Sequence, residues 1–281
     1  MNKNLLYFFS IFILLFSCRS NDSESDIKTE PEVLIKKLDA MFYTGTYQAP
    51  GPSSKKYFGF EYDSSNRLTK KKGAFVSSSS AGGIMYYLFI EEFGTIIEYG
   101  NKSATIKNFS TRPDLTLPED IENLIFNNTN QIIEKNIPNR NPRSNKKIKY
   151  FYNDKLLIKR ETTYPNQFYD PSLPWDYIET IIEDFIYDSN HNLQKIVTTN
   201  HKTGNVNSVT KIEEITFSDY DTSKNPFVKL GILNDYFERS LSKNNFRSRT
   251  KTGYDRNGTI NSKSENNWNF AYDAKGNLIL E

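Results

Sequence analysis

The dipeptide Tyr-Asp occurs six times in the 281 residues, at Tyr62, Tyr169, Tyr187, Tyr220, Tyr254 and Tyr272. With 18 Tyr and 16 Asp, chance placement gives about one such pair. Four of the pairs extend into one frame: Tyr62-Asp63-Ser64-Ser65-Asn66-Arg67-Leu68, Tyr187-Asp188-Ser189-Asn190-His191-Asn192-Leu193, Tyr254-Asp255-Arg256-Asn257-Gly258-Thr259-Ile260 and Tyr272-Asp273-Ala274-Lys275-Gly276-Asn277-Leu278. Each part has a physical task. Tyr closes a strand on a half-buried face. Asp63, Asp188, Asp255 and Asp273 open type I turns, their carboxylates accepting backbone N–H bonds. Asn66, His191, Gly258 and Gly276 stand three residues later, where short hairpin loops need positive φ. Leu or Ile then starts the returning strand. A chain punctuated this way folds as hairpins.

The flanking segments alternate at period two, as in Tyr57–Tyr62, Ile182–Tyr187, Ile212–Phe217 and Trp268–Tyr272. Further strand candidates are Val33–Tyr47, Ile84–Phe93, Thr95–Tyr99, Ala104–Phe109, Ile148–Tyr152, Leu156–Thr163, Leu193–Thr199 and Phe246–Thr252. Alternation leaves one sheet face wet, which favours antiparallel pairing over a parallel sheet covered on both sides. The expected fold is all-β: an antiparallel meander of repeated hairpins forming a large twisted or half-rolled sheet, with at most one short helix. Pro118–Ile125 is the helix candidate, with Pro in its first turn, acids near its start and a short apolar stripe. Loops are expected at Ala49–Lys56, Ser77–Gly83, Asn136–Lys147, Tyr164–Trp175 and Asp221–Gly231. None has the composition of an interdomain linker, so 32–281 reads as one domain, with Asn136–Lys147 the point where two lobes would separate.

Composition narrows the function classes. There are 36 Lys+Arg against 34 Asp+Glu, one Cys and two His. Near-neutrality gives no footprint for nucleic acid. One Cys excludes a disulfide framework, and two His leave little for a zinc centre or a histidine triad.

The single Cys has a particular address. Lys3 precedes an apolar run from Leu5 to Phe16, too short to span a bilayer but of signal-peptide length. Leu15-Phe16-Ser17-Cys18 then resembles the bacterial lipobox, which implies cleavage before Cys18 and lipidation of that residue. The alternative is an ordinary secretory signal with an incidental Cys. Residues 1–17 are therefore read as a lipoprotein signal peptide and 18–31 as an acidic, disordered tether. The Arg19–Asp26 segment is similar to the short acidic signals of surface-exported lipoproteins of the Bacteroidota; a plain linker is the alternative. Loss of residues 1–17 removes Lys3 and leaves 35 basic and 34 acidic groups.

The turn frame carries a second likeness. Tyr272–Leu278 resembles the YD repeat of RHS-type shell proteins. With the lipobox and the Asn225-Pro226-Phe227 segment, residues 57–281 look closer to YD-repeat-like secreted lipoproteins of the Bacteroidota, largely of unknown function. The repeats depart from a regular array, since 18 residues separate Tyr254 from Tyr272 but 125 separate Tyr62 from Tyr187. That favours an open or half-rolled meander over a closed shell. The resemblance implies no catalytic residues.

Asp188-x-Asn190-x-Asn192 begins like a calcium loop, but Leu193 stands where that loop needs Gly and Thr199 where it needs Glu, so no metal site is assigned. His191 is then a turn residue, and His201 belongs to a polar turn with Gly204. Glu91-Glu92, Glu183-Asp184 and Glu213-Glu214 place neighbours on opposite strand faces, which suits a solvated sheet better than a glycosidase dyad. Arg140, Arg143, Lys146, Lys147 and Lys149 form a basic surface cluster, and Arg239, Lys243, Arg247, Arg249 and Lys251 read as decoration of a strand face shielding it from edge pairing. Trp175 and Tyr177, in the Tyr169–Tyr177 segment rich in Pro and aromatics, are candidate contacts for a protein or glycan partner.

The chain accordingly reads as an outer-membrane lipoprotein on the periplasmic or surface face: a non-enzymatic binding or scaffold module, without cofactor, attached to the membrane through Cys18. The alternatives are an envelope glycan hydrolase with scattered carboxylates and a carrier of a hydrophobic ligand in a concave sheet. Cells expressing the full chain are expected to incorporate labelled palmitate into it, and Cys18→Ala is expected to abolish the label; label persisting in the variant refutes the anchor.

Overall fold

The computed structural model describes residues 33–40, 42, 56–79, 85–114 and 120–280. The signal peptide, the tether and Cys18 lie outside them. Leu34–Glu281 forms one compact unit.

Strands β1 (Lys37–Asp39), β2 (Tyr57–Tyr62), β3 (Leu68–Ser79), β4 (Met85–Gly100) and β5 (Ser103–Ser110) open the sheet. It continues through β6 (Ile121–Phe126), β7 (Ile132–Ile137), β8 (Lys146–Asn153), β9 (Leu156–Thr163) and β10 (Tyr177–Tyr187). The last four are β11 (Leu193–Gly204), β12 (Ser208–Tyr220), β13 (Phe246–Tyr254) and β14 (Ile260–Asn267). Every strand pairs antiparallel with its neighbour in sequence, giving one 14-stranded meander without strand pairing between its first and last members. A backbone bond from Asp39 N–H to the Leu280 carbonyl, at 2.9 Å, brings the C-terminal segment to β1. The expected antiparallel meander is thus the observed fold, and the one α-helix among the described residues is the single turn α1 (Phe237–Ser240).

The turn frame is built as its chemistry requires. Asp63 Oδ1 accepts from the amides of Ser65 and Arg67, both at 2.9 Å. Asp188 binds Asn190 and Asn192, Asp255 binds Asn257 and Thr259, and Asp273 binds Lys275 and Asn277 in the same way, at 2.8–2.9 Å. Asn66, His191, Gly258 and Gly276 all carry positive φ, between 59° and 80°. At the first three of these turns the ladder bulges just before Tyr, pairing Tyr62 with Leu68, Tyr187 with Leu193 and Tyr254 with Ile260. A fifth copy, Phe126-Asn127-Asn128-Thr129-Asn130-Gln131-Ile132, uses Phe for Tyr and Asn for Asp. Asn127 Oδ1 accepts from Thr129 and Gln131, and Asn130 has φ 60°.

This fifth turn corrects the helix expectation. Ile121–Phe126 is strand β6, paired with β5 and β7, while residues 115–119 lie outside the description. The acids and stripe of that segment suited a helix, but its residues meet sheet partners on both sides, and pairing prevails over local propensity. Other expectations shift similarly. Ile84–Phe93 and Thr95–Tyr99 merge into the single strand β4. Of Val33–Tyr47, only Lys37–Asp39 is a described strand. His201 is not in a turn; it lies within β11 opposite Thr180 and Val209. Asn136–Lys147 does not divide the sheet, because β7 and β8 pair directly across it.

Burial separates the two faces. Phe58, Phe60, Ile97, Ile106, Leu124, Tyr150, Phe185, Ile196, Ile215 and Phe217 are buried on one face. The other carries cross-strand ion pairs, including Glu61–Lys72, Glu98–Lys107, Glu134–Lys147 and Lys195–Glu214. A lone sheet cannot bury its apolar face. Here the connection Asp221–Asn245 folds back over it, with 3₁₀ turns at Pro226–Leu230 and Asn234–Tyr236 leading into α1.

Four Tyr residues, at the ends of β2, β4, β8 and β12, tie these strands to the segments before them. Tyr62 donates its hydroxyl to the Ile35 carbonyl, Tyr99 to Leu68, Tyr152 to Ile132 and Tyr220 to Leu193. Burial raises the pKa of each, Tyr99 to about 12 from 10.0. A folded-state pKa above the unfolded one means that the native state keeps protons that the unfolded chain releases. This stabilisation is fully present below pH about 10 and is lost as pH rises from there through about 12. An ultraviolet titration should show part of the tyrosinate signal appearing only with loss of the circular-dichroism signal of the sheet; full ionisation on an intact sheet refutes the assignment.

Candidate functional site

Phe227, Leu230, Leu233 and Tyr236 of the covering segment are buried among Leu38, Phe60, Leu68, Ile97 and Leu124. Phe237 and Leu241 pack against a second cluster with Tyr150, Leu157, Phe185, Leu193 and Phe246. Asn225 sets the segment's course. Its side chain accepts from Phe227 N–H at 2.9 Å and donates to the carbonyls of Arg239 and Ser242 at 2.6 and 2.7 Å. Asp221 anchors the base, accepting from Ser223, Asn245 and the Tyr272 hydroxyl.

Between this segment and the sheet lies a cavity of about 720 Å³. Its floor comes from β2, β3 and β4 (Phe58, Lys71, Ala74, Phe75, Thr95) and from β5 and β6 (Ile106, Asn108, Ile121, Glu122). The cover is Ile232–Tyr236. In a 3₁₀ turn residues i and i+3 eclipse, so Leu233 and Tyr236 are buried together while Asn234 and Asp235 are left to the polar wall.

Two ion-paired groups cross that wall. Lys71 Nζ, almost fully buried, lies 2.5 Å from Asp235 Oδ2 and 4.5 Å from the Phe58 ring centroid. Lys135 Nζ bonds Glu122 Oε2 at 2.8 Å and Asn234 Oδ1 at 3.0 Å, and Asn234 Nδ2 donates to Glu122 Oε1 at 3.1 Å. Such pairs compensate the desolvation of buried ammonium groups and join the cover to the floor. Asn108 and Asp120 stand apart from these networks, 3.5 Å from each other. Deeper along the same face Arg160 forms a two-pronged pair with Glu183 and lies over the Phe237 ring at 4.8 Å. Burial pushes Tyr150 up to about 12 beside this pair. A smaller cavity of about 290 Å³ lies by Glu238, Arg249 and Trp268.

Four of the six acids in the sequence pairs are engaged in ion pairs. Glu91 meets Lys56, Glu183 meets Arg160, Glu213 meets Lys251, and Glu214 meets Lys211 and Lys195. Asp63, Asp188, Asp255 and Asp273 serve the turns described above. Among the described residues no group of three or more His, Cys, Asp or Glu is placed to hold a metal ion.

Arg239 does not decorate a strand. It belongs to α1, is buried, donates to the Phe246 carbonyl at 2.8 Å and stacks on the rings of Phe246 and Trp268. Arg247, Arg249 and Lys251 do lie on β13, but that strand is paired on both sides and is no edge. Lys243 sits in the turn before it.

Trp175 is 67% exposed and Phe168 69%, on a loop fixed from within. Asp176 Oδ2 accepts from Asp170 N–H, and Asn205 Nδ2 donates to the carbonyls of Pro171 and Leu173. Asn166 reaches the Pro142 carbonyl at 3.1 Å, which brings this loop beside exposed Arg140 and Arg143. Tyr177 is half-buried in β10, with Lys202 Nζ 4.0 Å from its ring centroid. Of the two aromatic candidates, Trp175 presents its ring to solvent.

Neither a family model nor a curated protein matches the chain. Solved structures that resemble it include a porin-like protein from Bacteroides vulgatus (10% identity, TM-score 0.48, covering 88% of this chain and 90% of that one) and a porin-like protein from Bacteroides uniformis (10%, 0.48, 88% and 89%). At this distance no residue role transfers.

Phe227 is fully buried at the centre of the covering segment. Truncating it to Ala is expected to cost about 3–5 kcal/mol in urea denaturation. A loss below about 1 kcal/mol would show that the segment does not support the sheet.

Proposed function

We propose that the chain is a lipid-anchored cell-envelope protein acting as a non-enzymatic binding module, of the YD-repeat-like kind. The single observation that carries the binding role is the 720 Å³ cavity between the sheet and its covering segment, within the size range of small-molecule sites. Its wall carboxylates Glu122 and Asp235 are committed to lysines, which favours holding a ligand over transferring protons. The ion pairs on the uncovered face support a water-facing sheet; a lipid-facing band would place apolar residues there. Lys3, the apolar run to Phe16 and the Leu15–Cys18 lipobox support the anchor.

The carrier alternative loses most of its site, since the apolar face is occupied by the chain's own Phe227, Leu230, Leu233 and Tyr236. The hydrolase alternative is tested directly. Purified full-length protein incubated with envelope glycans is expected to bind them without generating reducing ends. Turnover that disappears on substitution of a single Asp or Glu, in a variant that remains folded, overturns the non-enzymatic reading.

A further inference from the structure

We infer that the cavity under Leu233–Tyr236 is a binding site for a neutral saccharide. The inference rests on the binding-module reading and goes beyond it by assigning the place and the ligand chemistry.

Charge narrows the choice first. Lys71 and Lys135 are already paired, with Asp235 and Glu122 respectively. An anionic ligand therefore meets cations whose charge is spent, together with the carboxylates of Asp120, Glu122 and Asp235. A phosphate, sulfate or uronate is repelled on balance. An acyl chain fares no better, because seating it would strip water from Asn108, Asp120 and Asn139 without replacing their hydrogen bonds.

The remaining groups match a polyhydroxylated ring. Asn108 offers its amide, held only by a long 3.5 Å bond to Asp120, Asn139 offers its Nδ2 while its Oδ1 accepts from Asn141 N–H, and Asp120 offers acceptor oxygens suited to vicinal hydroxyls, each of which both donates and accepts. Phe75, half-buried in the floor and backed by the buried Phe58 ring, supplies aromatic surface against which the C–H face of a sugar ring packs. The wall is stiff before any ligand arrives: the Lys71–Asp235 pair and the Lys135–Glu122–Asn234 ring fix cover to floor, and Phe58 and Phe75 rings pack edge to face at 6.0 Å. Pre-set geometry spares a ligand the cost of ordering its site.

The test uses the full-length protein on an array of neutral and acidic oligosaccharides, followed by calorimetric titration with the best neutral binder. Asp120 and Asn108 are exposed and outside the buried clusters, so Asp120→Ala and Asn108→Ala leave the core intact, with circular dichroism as the check. Neutral probes are expected to bind, with affinity falling about tenfold or more in Asp120→Ala, as for loss of a charge-assisted hydrogen bond. Trp175→Ala is expected to leave binding unchanged. Glycan binding that vanishes in Trp175→Ala and persists in Asp120→Ala overturns the cavity assignment while the binding-module reading stands. Binding confined to acidic probes, or to none of the array, overturns it too. Release of reducing ends would instead remove the non-enzymatic reading itself.

Discussion

Burial of one face of a single 14-stranded sheet is the constraint on which everything else depends. Neighbour-to-neighbour pairing satisfies the backbone but leaves Phe58, Phe60, Ile97, Leu124, Phe185 and Phe217 needing a covering layer. Each such side chain is worth roughly 1.5–3 kcal/mol when buried, so the face is a large share of the folding drive. The cover comes from one connection, Asp221–Asn245, which reaches β1–β6 through Phe227, Leu233 and Tyr236 and β8–β13 through Phe237 and Leu241. Where this irregular segment fails to fill the space, the cavity remains. The candidate site is thus a by-product of how the sheet is covered.

The turns solve a different problem. A long meander is prone to slip by one residue, which would exchange the faces of every side chain in a strand. Five copies of one Asx-type turn, each with a positive-φ residue and three with a bulge beside the Tyr that closes the ladder, set the register at fixed points. Tyr hydroxyls bonded to carbonyls on the adjacent strand couple those points. The frame therefore does structural work. It explains the abundance of Tyr, Asp and Asn without assigning any of them to a ligand.

Much of this was legible because hairpin chemistry is local. The Asp, the positive-φ residue and the returning Leu stand within seven positions, and their hydrogen bonds span two or four residues. The Asn127 turn carried the same spacing under different letters, and reading the frame by chemical role, Phe for Tyr and Asn for Asp, recovers it. The candidate site left no such trace. Lys71 and Asp235 are 164 residues apart and Lys135 and Asn234 are 99 apart, each unremarked among many Lys and Asn of the same type. Arg239 was misplaced for a related reason: four positively charged neighbours in sequence suggested a wet strand, whereas rings from Phe246 and Trp268 made a buried seat for its guanidinium.

By itself the sequence determined the strand-and-turn grammar and the antiparallel order, since each depends on residues adjacent in the chain. Only the tertiary structure decided that Ile121–Phe126 is a strand, that Asp221–Asn245 is the cover rather than a plain loop, and that Lys71, Glu122, Asn234 and Asp235 meet at one cavity, with Lys135 bonded to Glu122 and Asn234. Those outcomes depend on which distant surfaces are left unburied once the sheet has formed, a quantity that no local window contains.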